Sequence, residues 1–64
     1  MEVMFSVYYE VIDGDGNVVF TTSDVEAAQT ALPVDGEIYE VMKTVVSSEA
    51  RISINIEKKV VKRS

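Results

Sequence analysis

One stretch of the chain decides its fold: SDVEAAQTALP, residues 23–33. It contains three alanines and no glycine, and its apolar residues recur at the spacing of one helical face. Ser23 stands three residues before Glu26, which is the spacing of a capping box at a helix N-terminus. Pro33 cannot continue a helix. The sequence therefore predicts a helix over residues 24–32, too short to be stable in water unless it packs on another element.

Runs typical of β-strands flank this helix on both sides. Residues 3–12 and 18–22 are rich in β-branched and aromatic types, and the turn-forming segment DGDGN joins them at residues 13–17. After the helix, residues 37–46 and 51–61 show the same character, and the second of these alternates isoleucine with polar residues. The chain should therefore form a hairpin, a helix and a second hairpin.

This order predicts an α+β fold of ββαββ type, a four-stranded sheet with one short helix packed on one face. We favour the strand order 2-1-4-3, with the first and last strands central and parallel; a mostly antiparallel sheet with strands 1 and 3 adjacent is the alternative. The layout is similar to the immunoglobulin-binding domains of protein G, and the resemblance implies architecture only, because no binding motif of that family is present. The length predicts a single domain over residues 1–64, and we expect the basic residues 62–64 to fray.

The residue inventory argues against catalysis. The chain has no cysteine and no histidine, which excludes a thiol nucleophile, a histidine-dependent triad and Cys/His metal sites. Its acidic pairs lie on turns or on opposite sides of a strand, and so lack the apolar burial typical of catalytic carboxylates. We therefore expect no enzyme, no catalytic residue, no cofactor and no metal.

The segment after the first strand resembles the start of an EF-hand calcium loop, since Asp13, Asp15 and Asn17 have the required spacing. The sixth position of such a loop must be glycine, but here it is Val18. The flanking segments also have the pattern of strands rather than helices. We therefore interpret this segment as an acidic hairpin turn.

Charge is distributed unevenly along the chain. Residues 1–57 hold all eleven acids and two bases, a net charge of −9, whereas residues 58–64 hold four bases, a net charge of +4. A body this acidic should repel nucleic-acid phosphates and attract basic partners, although acids also simply keep a small domain soluble. The candidate binding acids are Asp13, Asp15, Asp35, Glu37 and Glu40. Nucleic acid is an unlikely partner, and would be bound only through Lys58, Lys59, Lys62 and Arg63.

Strands 1 and 3 are apolar on both sides, although one helix can cover only one face of the sheet. We expect part of this surplus to form an exposed patch on the helix-free face, large enough to be an interface. The patch residues we predict are Met4, Tyr8, Ile38 and Met42.

These features favour a small acidic, non-enzymatic protein-binding module with a basic protein partner, or a homodimer. Size and composition resemble those of small phage or mobile-element proteins, including anti-CRISPR and DNA-mimic inhibitors. The alternatives are an assembly subunit that homo-oligomerises through its sheet and a nucleic-acid accessory protein. No apolar run approaches ~18 residues and no basic segment precedes one, so we expect no membrane contact and a cytoplasmic location, in the host if the chain is phage-encoded.

Overall fold

The computed structural model describes residues 1–64, which form four strands and one helix. In chain order the elements are β1 (Glu2–Ile12), β2 (Val18–Thr22), α1 (Val25–Ala31), β3 (Glu37–Ser47) and β4 (Ile52–Arg63). The α+β class and the single four-stranded sheet are confirmed.

The strand order is β2-β1-β3-β4, and every neighbouring pair is antiparallel. The favoured order 2-1-4-3 is therefore wrong, and the alternative with strands 1 and 3 adjacent is the one the chain adopts. β1 and β3 pair along their whole lengths, from Glu2 opposite Ser47 to Ile12 opposite Glu37. This ladder leaves β2 and β3 parallel to each other on either side of β1, joined by a crossover that contains α1.

The charge pattern explains why β4 is not central. A strand in the middle of a sheet has neighbours on both sides and favours apolar residues, whereas charged residues are typical of edge strands. β1 and β3 are apolar on both sides, and β4 carries five charged residues in its second half, from Glu57 to Arg63. The two-sided apolar character of β1 and β3 was the signal for their central position.

The helix is shorter than expected and begins one residue later. Its N-cap is Asp24, whose side chain accepts a hydrogen bond from the backbone N–H of Glu26 at 3.0 Å. Ser23 therefore does not cap the helix, because Asp24, held by the hydroxyl of Thr22 at 3.1 Å, is the residue with the extended backbone that a cap needs. At seven residues, α1 is the only helix, and no helix is long and apolar enough to cross a membrane.

The main buried cluster is small and lies under α1, while Val41 is buried on the open face. Ala28 of the helix packs with Val11 of β1 and Ile38 of β3, which are all fully buried, and Tyr9 and Leu32 close the cluster at its margin. The sheet extends far beyond the helix, and the molecule measures 46 × 22 × 15 Å. The core therefore anchors one end of an elongated sheet.

Residues 62–64, which we expected to fray, extend the last strand and follow it in the structure. β4 continues to Arg63, and the backbone N–H of Ser64 donates to the carbonyl oxygen of Gly36 at 3.0 Å. The last basic residues are held against the start of β3.

Candidate functional site

The strand register defines two faces of the sheet, since residues directly opposite each other share a face. The helix face contains Val11 and Ile38, which pack on α1. The open face contains Tyr8 paired with Val41.

The apolar patch predicted from the sequence is split between these two faces. Met4 and Tyr8 lie on the open face as expected, but Ile38 and Met42 pair with Val11 and Val7 and lie on the helix face. Ile38 is fully buried in the core. The grouping of these four residues is therefore wrong, because the antiparallel β1–β3 register places even positions of one strand opposite odd positions of the other.

A different surface is exposed where the sheet extends beyond β2 and α1. We call this part the bare end; it consists of residues 2–7 of β1, 42–47 of β3 and 52–57 of β4. On its open face, Val45 of β3 lies between Met4, which is 66% exposed, and the isoleucines of β4. They are Ile52, Ile54 and Ile56, exposed by 68%, 59% and 50%.

The helix face of the bare end carries a second apolar row along β1. Val3, Phe5 and Val7 alternate there and are exposed by 59%, 64% and 39%. Their neighbours across the ladder are Val46, Thr44 and Met42, so the row continues partway into β3. Both faces of the bare end are therefore apolar and uncovered.

The outer edge of β1 is also unpaired in this region. β2 pairs only with Tyr9–Ile12. The seven residues Glu2–Tyr8 therefore have β3 on one side and no strand on the other. Backbone groups in a strand point to alternate sides. The N–H of Asp13 donates to Asn17 across the β1–β2 turn at 2.9 Å, so odd-numbered residues of β1 face the β2 side.

It follows that the backbone N–H and C=O groups of Val3, Phe5 and Val7 point outward from the free edge. The carbonyl oxygen of Ile12 faces Gly36, just before β3, which agrees with even-numbered residues facing the other way. The free edge therefore offers three donors and three acceptors on residues whose side chains are apolar.

The predicted acidic residues are only partly brought together. Asp13 and Asp15 lie in the β1–β2 turn, and Gly14 between them lies against Asp35 of the α1–β3 turn. Glu37 is at the same end but pairs with Arg63 at 3.0 Å, and Glu40 lies within the sheet near Lys59 at 3.9 Å. We call Asp13, Asp15 and Asp35 the acidic loop end.

The Asp13 carboxylate has a local structural role. Its Oδ1 atom accepts hydrogen bonds from the backbone N–H groups of Asp15 and Asn17, at 3.0 and 2.9 Å. These contacts close the turn. No group of three or more acidic side chains is close enough together to hold a metal ion.

The basic C-terminal segment is largely compensated by acids from neighbouring strands. Lys58 donates to Glu10 at 2.9 Å, Lys59 lies near Glu40, and Arg63 pairs with Glu37. The hydrogen bond to Glu10, together with its negative charge, raises the pKa of Lys58 above its ordinary value of 10.5. Of these four bases, Lys62 alone has no ion pair.

A shallow, open concavity of about 350 Å³ lies at the far tip of the bare end. Met1, Glu2 and the β3–β4 turn residues Ser47, Ser48 and Glu49 line it. The Ser48 hydroxyl donates to the carbonyl oxygen of Arg51 at 3.4 Å, within its own turn. Neither serine has a basic partner that would activate it as a nucleophile.

Sequence reasoning missed the exposed residues of the bare end. The alternation of Ile52, Ile54 and Ile56 with polar residues was visible, but such a pattern normally means that the isoleucines face a core. The missing information was the strand register, which places them on the open face, opposite α1. Val3 and Phe5 lie on the helix face and were missed because α1 is too short to reach them.

Comparisons with protein-family models, with curated proteins and with solved structures found no significant match to this chain. Its function is therefore argued from these surfaces alone.

Proposed function

We propose that this chain is a small, non-enzymatic protein-binding module whose contact surface is the bare end of the sheet. The observation that carries the proposal is the exposure of apolar side chains on both faces there, such as Phe5 at 64% and Ile54 at 59%. Contiguous apolar surface of this kind is typical of interaction sites, whereas scattered exposed hydrophobic residues are not.

The overall dimensions support the proposal. The chain exposes 4620 Å², against about 4,100 Å² for a compact monomer of this mass. Its radius of gyration is 14.0 Å, against about 11 Å for a compact domain of this length. The uncovered sheet therefore leaves about 500 Å² more surface in water than a compact fold would, and a partner would bury it.

The test compares two matched double variants with the wild-type chain. Phe5→Thr with Ile54→Thr removes apolar area from both faces of the bare end and keeps β-branched side chains, which favour strands. Val19→Thr with Val34→Thr removes exposed apolar area elsewhere, because these valines are 52% and 84% exposed. Each of the three chains is immobilised in turn. The readout is the amount of protein that it retains from solution, including free copies of the same chain.

We expect the bare-end variant to bind at least about tenfold more weakly, as truncating interface anchors does. The control should match the wild type. Equal loss in both variants, or a wild-type chain that retains no protein, would refute the proposal.

The acidic loop end supports a second candidate function, the binding of a basic protein in the manner of the DNA-mimic inhibitors that small phage proteins include. Asp13, Asp15 and Asp35 have no ion pair, whereas Glu10, Glu37 and Glu40 are compensated by β4. Uncompensated carboxylates speed the encounter with a basic surface.

This candidate is tested by neutralising three acids at each end of the molecule. The loop variant changes Asp13, Asp15 and Asp35 to Asn, and the control changes Glu2, Glu49 and Glu57 to Gln, so both lose the same charge. Titration with polylysine at low salt should show weaker binding for the loop variant than for the control. Equal weakening would mean that only net charge matters, which contradicts a focused acidic surface.

A further inference from the structure

We infer that the free edge of β1 pairs with the same edge of a second copy of this chain, antiparallel and about a two-fold axis at Phe5, to make a continuous eight-stranded sheet. The inference rests on the proposed function, because it names the occupant of the bare end. Three features of the edge carry it: its hydrogen-bonding groups, its side-chain pattern and its charge.

The hydrogen-bonding groups match in number and position. The outward N–H and C=O groups belong to Val3, Phe5 and Val7, as the direction of the Asp13 N–H shows. In the two-fold arrangement, Val3 faces Val7 of the second copy and Phe5 faces its own counterpart. Each outward donor then meets an outward acceptor.

The length of the free edge also fits. It spans the seven residues Glu2–Tyr8, between the chain terminus and the end of β2, where Thr22 pairs with Tyr9. Pairing centred on Phe5 uses all seven residues. It stops where Thr22 of β2 pairs with Tyr9, and Met1, which lies outside β1, must turn away from Thr22 at that point.

The side chains are self-complementary in the same register. Val3, Phe5 and Val7 are symmetric about the central phenylalanine, so pairing produces one apolar row across the helix faces of both copies. Cross-strand pairs of aromatic and β-branched residues are favourable. A palindromic pattern of this kind favours a second copy of the chain over an unrelated strand.

The free part of β1 is almost uncharged. Its one charge, on Glu2, faces Tyr8 of the second copy in this register rather than another carboxylate. Self-pairing along this edge therefore brings no like charges together.

The contact is limited to one strand edge. It covers seven residues of β1 and leaves the isoleucines of β4 exposed, because β3 separates them from this edge. A contact of this size lies at the low end for specific interfaces, so the dimer should be weak.

The register is tested with single cysteines, because the natural chain has none. In the proposed pairing Met4 lies directly opposite Ser6 of the second copy, in a close non-hydrogen-bonded pair whose Cα spacing of about 4.5 Å permits a disulfide. Two Met4 positions are diagonal neighbours at about 7–8 Å, which is too far.

A mixture of Met4→Cys chains and Ser6→Cys chains, one form tagged, is oxidised at about 100 μM. We expect disulfides mainly between the unlike chains, several-fold above the like-with-like products. Products in statistical proportion, or no crosslink, would overturn the register.

The edge is tested with proline, which removes a backbone donor and is tolerated where that donor faces solvent. Phe5→Pro removes an outward N–H from β1. The matched control is Thr21→Pro on the outer edge of β2, away from the bare end. Odd residues of β1 face β2, so their partners Phe20 and Thr22 face β1, and the N–H of Thr21 therefore points outward.

Sedimentation at about 100 μM should show that Phe5→Pro weakens dimerisation at least about tenfold while Thr21→Pro leaves it unchanged, with the circular dichroism of both variants preserved. Dimerisation that Phe5→Pro leaves intact, or that both variants lose equally, would overturn the inference. A monomeric wild-type chain would also overturn it. The proposed function would stand in that case if the wild-type chain bound a different protein and Phe5→Thr with Ile54→Thr weakened that binding.

Discussion

At the scale of single residues, Gly36 shows how closely the chain packs in the turn between α1 and β3. It is buried, and a Cβ atom there would lie 2.7 Å from the carbonyl oxygen of Ile12 and 2.8 Å from the ring of Pro33. The obstacle is a strand backbone and a rigid ring, neither of which can move aside. Glycine is required here by space, not by backbone conformation.

We expect Gly36→Ala to lower the free energy of unfolding by about 1–3 kcal/mol, the usual cost of overpacking. Gly14→Ala is the control, because its Cβ would meet only the Cβ of Asp35 at 3.4 Å and should change stability by less than about 0.5 kcal/mol. Urea unfolding monitored by circular dichroism measures both. Similar midpoints for the two variants would show that the β1–β3 junction is looser than described.

A second residue-scale feature is the Lys58–Glu10 ion pair, which spans β3 on the open face. Glu10 is largely covered, with 15% of its side chain exposed, whereas Lys58 is 49% exposed. The pair ties the edge strand β4 to β1, two strands away. Its contribution should depend on pH in a predictable direction.

Because the pKa of Lys58 is raised in the folded chain, its contribution is complete below 10.5 and is lost as pH rises through the higher folded value. Lys58→Met should therefore lower the urea midpoint at pH 8, and its difference from the wild type should shrink above pH 10.5. Lys62→Met, which removes an unpaired lysine, is the control. A Lys58→Met difference that stayed constant above pH 10.5 would rule out the ion pair as its source.

At the scale of elements, α1 shows how a marginal helix is held. Seven residues are too few for an isolated helix, so its formation depends on the contact of Ala28 with the sheet and on capping at Asp24. Ser23 and Asp24 are both good N-cap residues. The structure assigns the cap to Asp24, because its carboxylate meets the N–H of Glu26.

Asp24→Ala should therefore cost about 1 kcal/mol of stability, through the lost hydrogen bond to the helix N-terminus. Ser23→Ala should cost less than about 0.5 kcal/mol. Thermal or urea midpoints of the two variants check this order. If Ser23→Ala were the more damaging change, the helix would begin one residue earlier than it does here.

At the scale of the whole molecule, the sheet divides into a half that packs on α1 and a bare half. Isoleucines lie in both: Ile38 is fully buried, and Ile54 is 59% exposed. The same residue type stabilises the fold in one place and leaves apolar surface in water in the other. This division makes the molecule elongated and gives it a contact surface.

Ile38→Ala should lower the free energy of unfolding by about 2–5 kcal/mol, whereas Ile54→Ala should cost about 1 kcal/mol or less. Both are measured by urea unfolding at about 1 μM chain, well below the concentration at which a weak dimer forms. Comparable losses in the two variants would place Ile54 in a core and remove the basis of the proposed contact surface.

Much of the local structure follows from the sequence itself. Alternating β-branched residues, the glycine-rich turn at 13–17 and the alanine-rich stretch ending at Pro33 determine the order of elements, because each depends on contacts only a few residues apart. The acidic character of the chain and the absence of cysteine and histidine are also sequence properties. The α+β class follows from these features.

The tertiary structure alone decided which strands are neighbours and which apolar residues remain uncovered. Periodicity shows that Met4 and Tyr8 share a face, and that Ile38 and Met42 share a face, but it does not show that the two pairs lie on opposite sides of the sheet. That relation depends on the β1–β3 register, which pairs residues 25 to 45 positions apart. The exposure of Ile54 likewise depends on the β3–β4 register, which places it on the face opposite α1. Both depend on packing between residues that are far apart in the sequence, which a local pattern of residues does not specify.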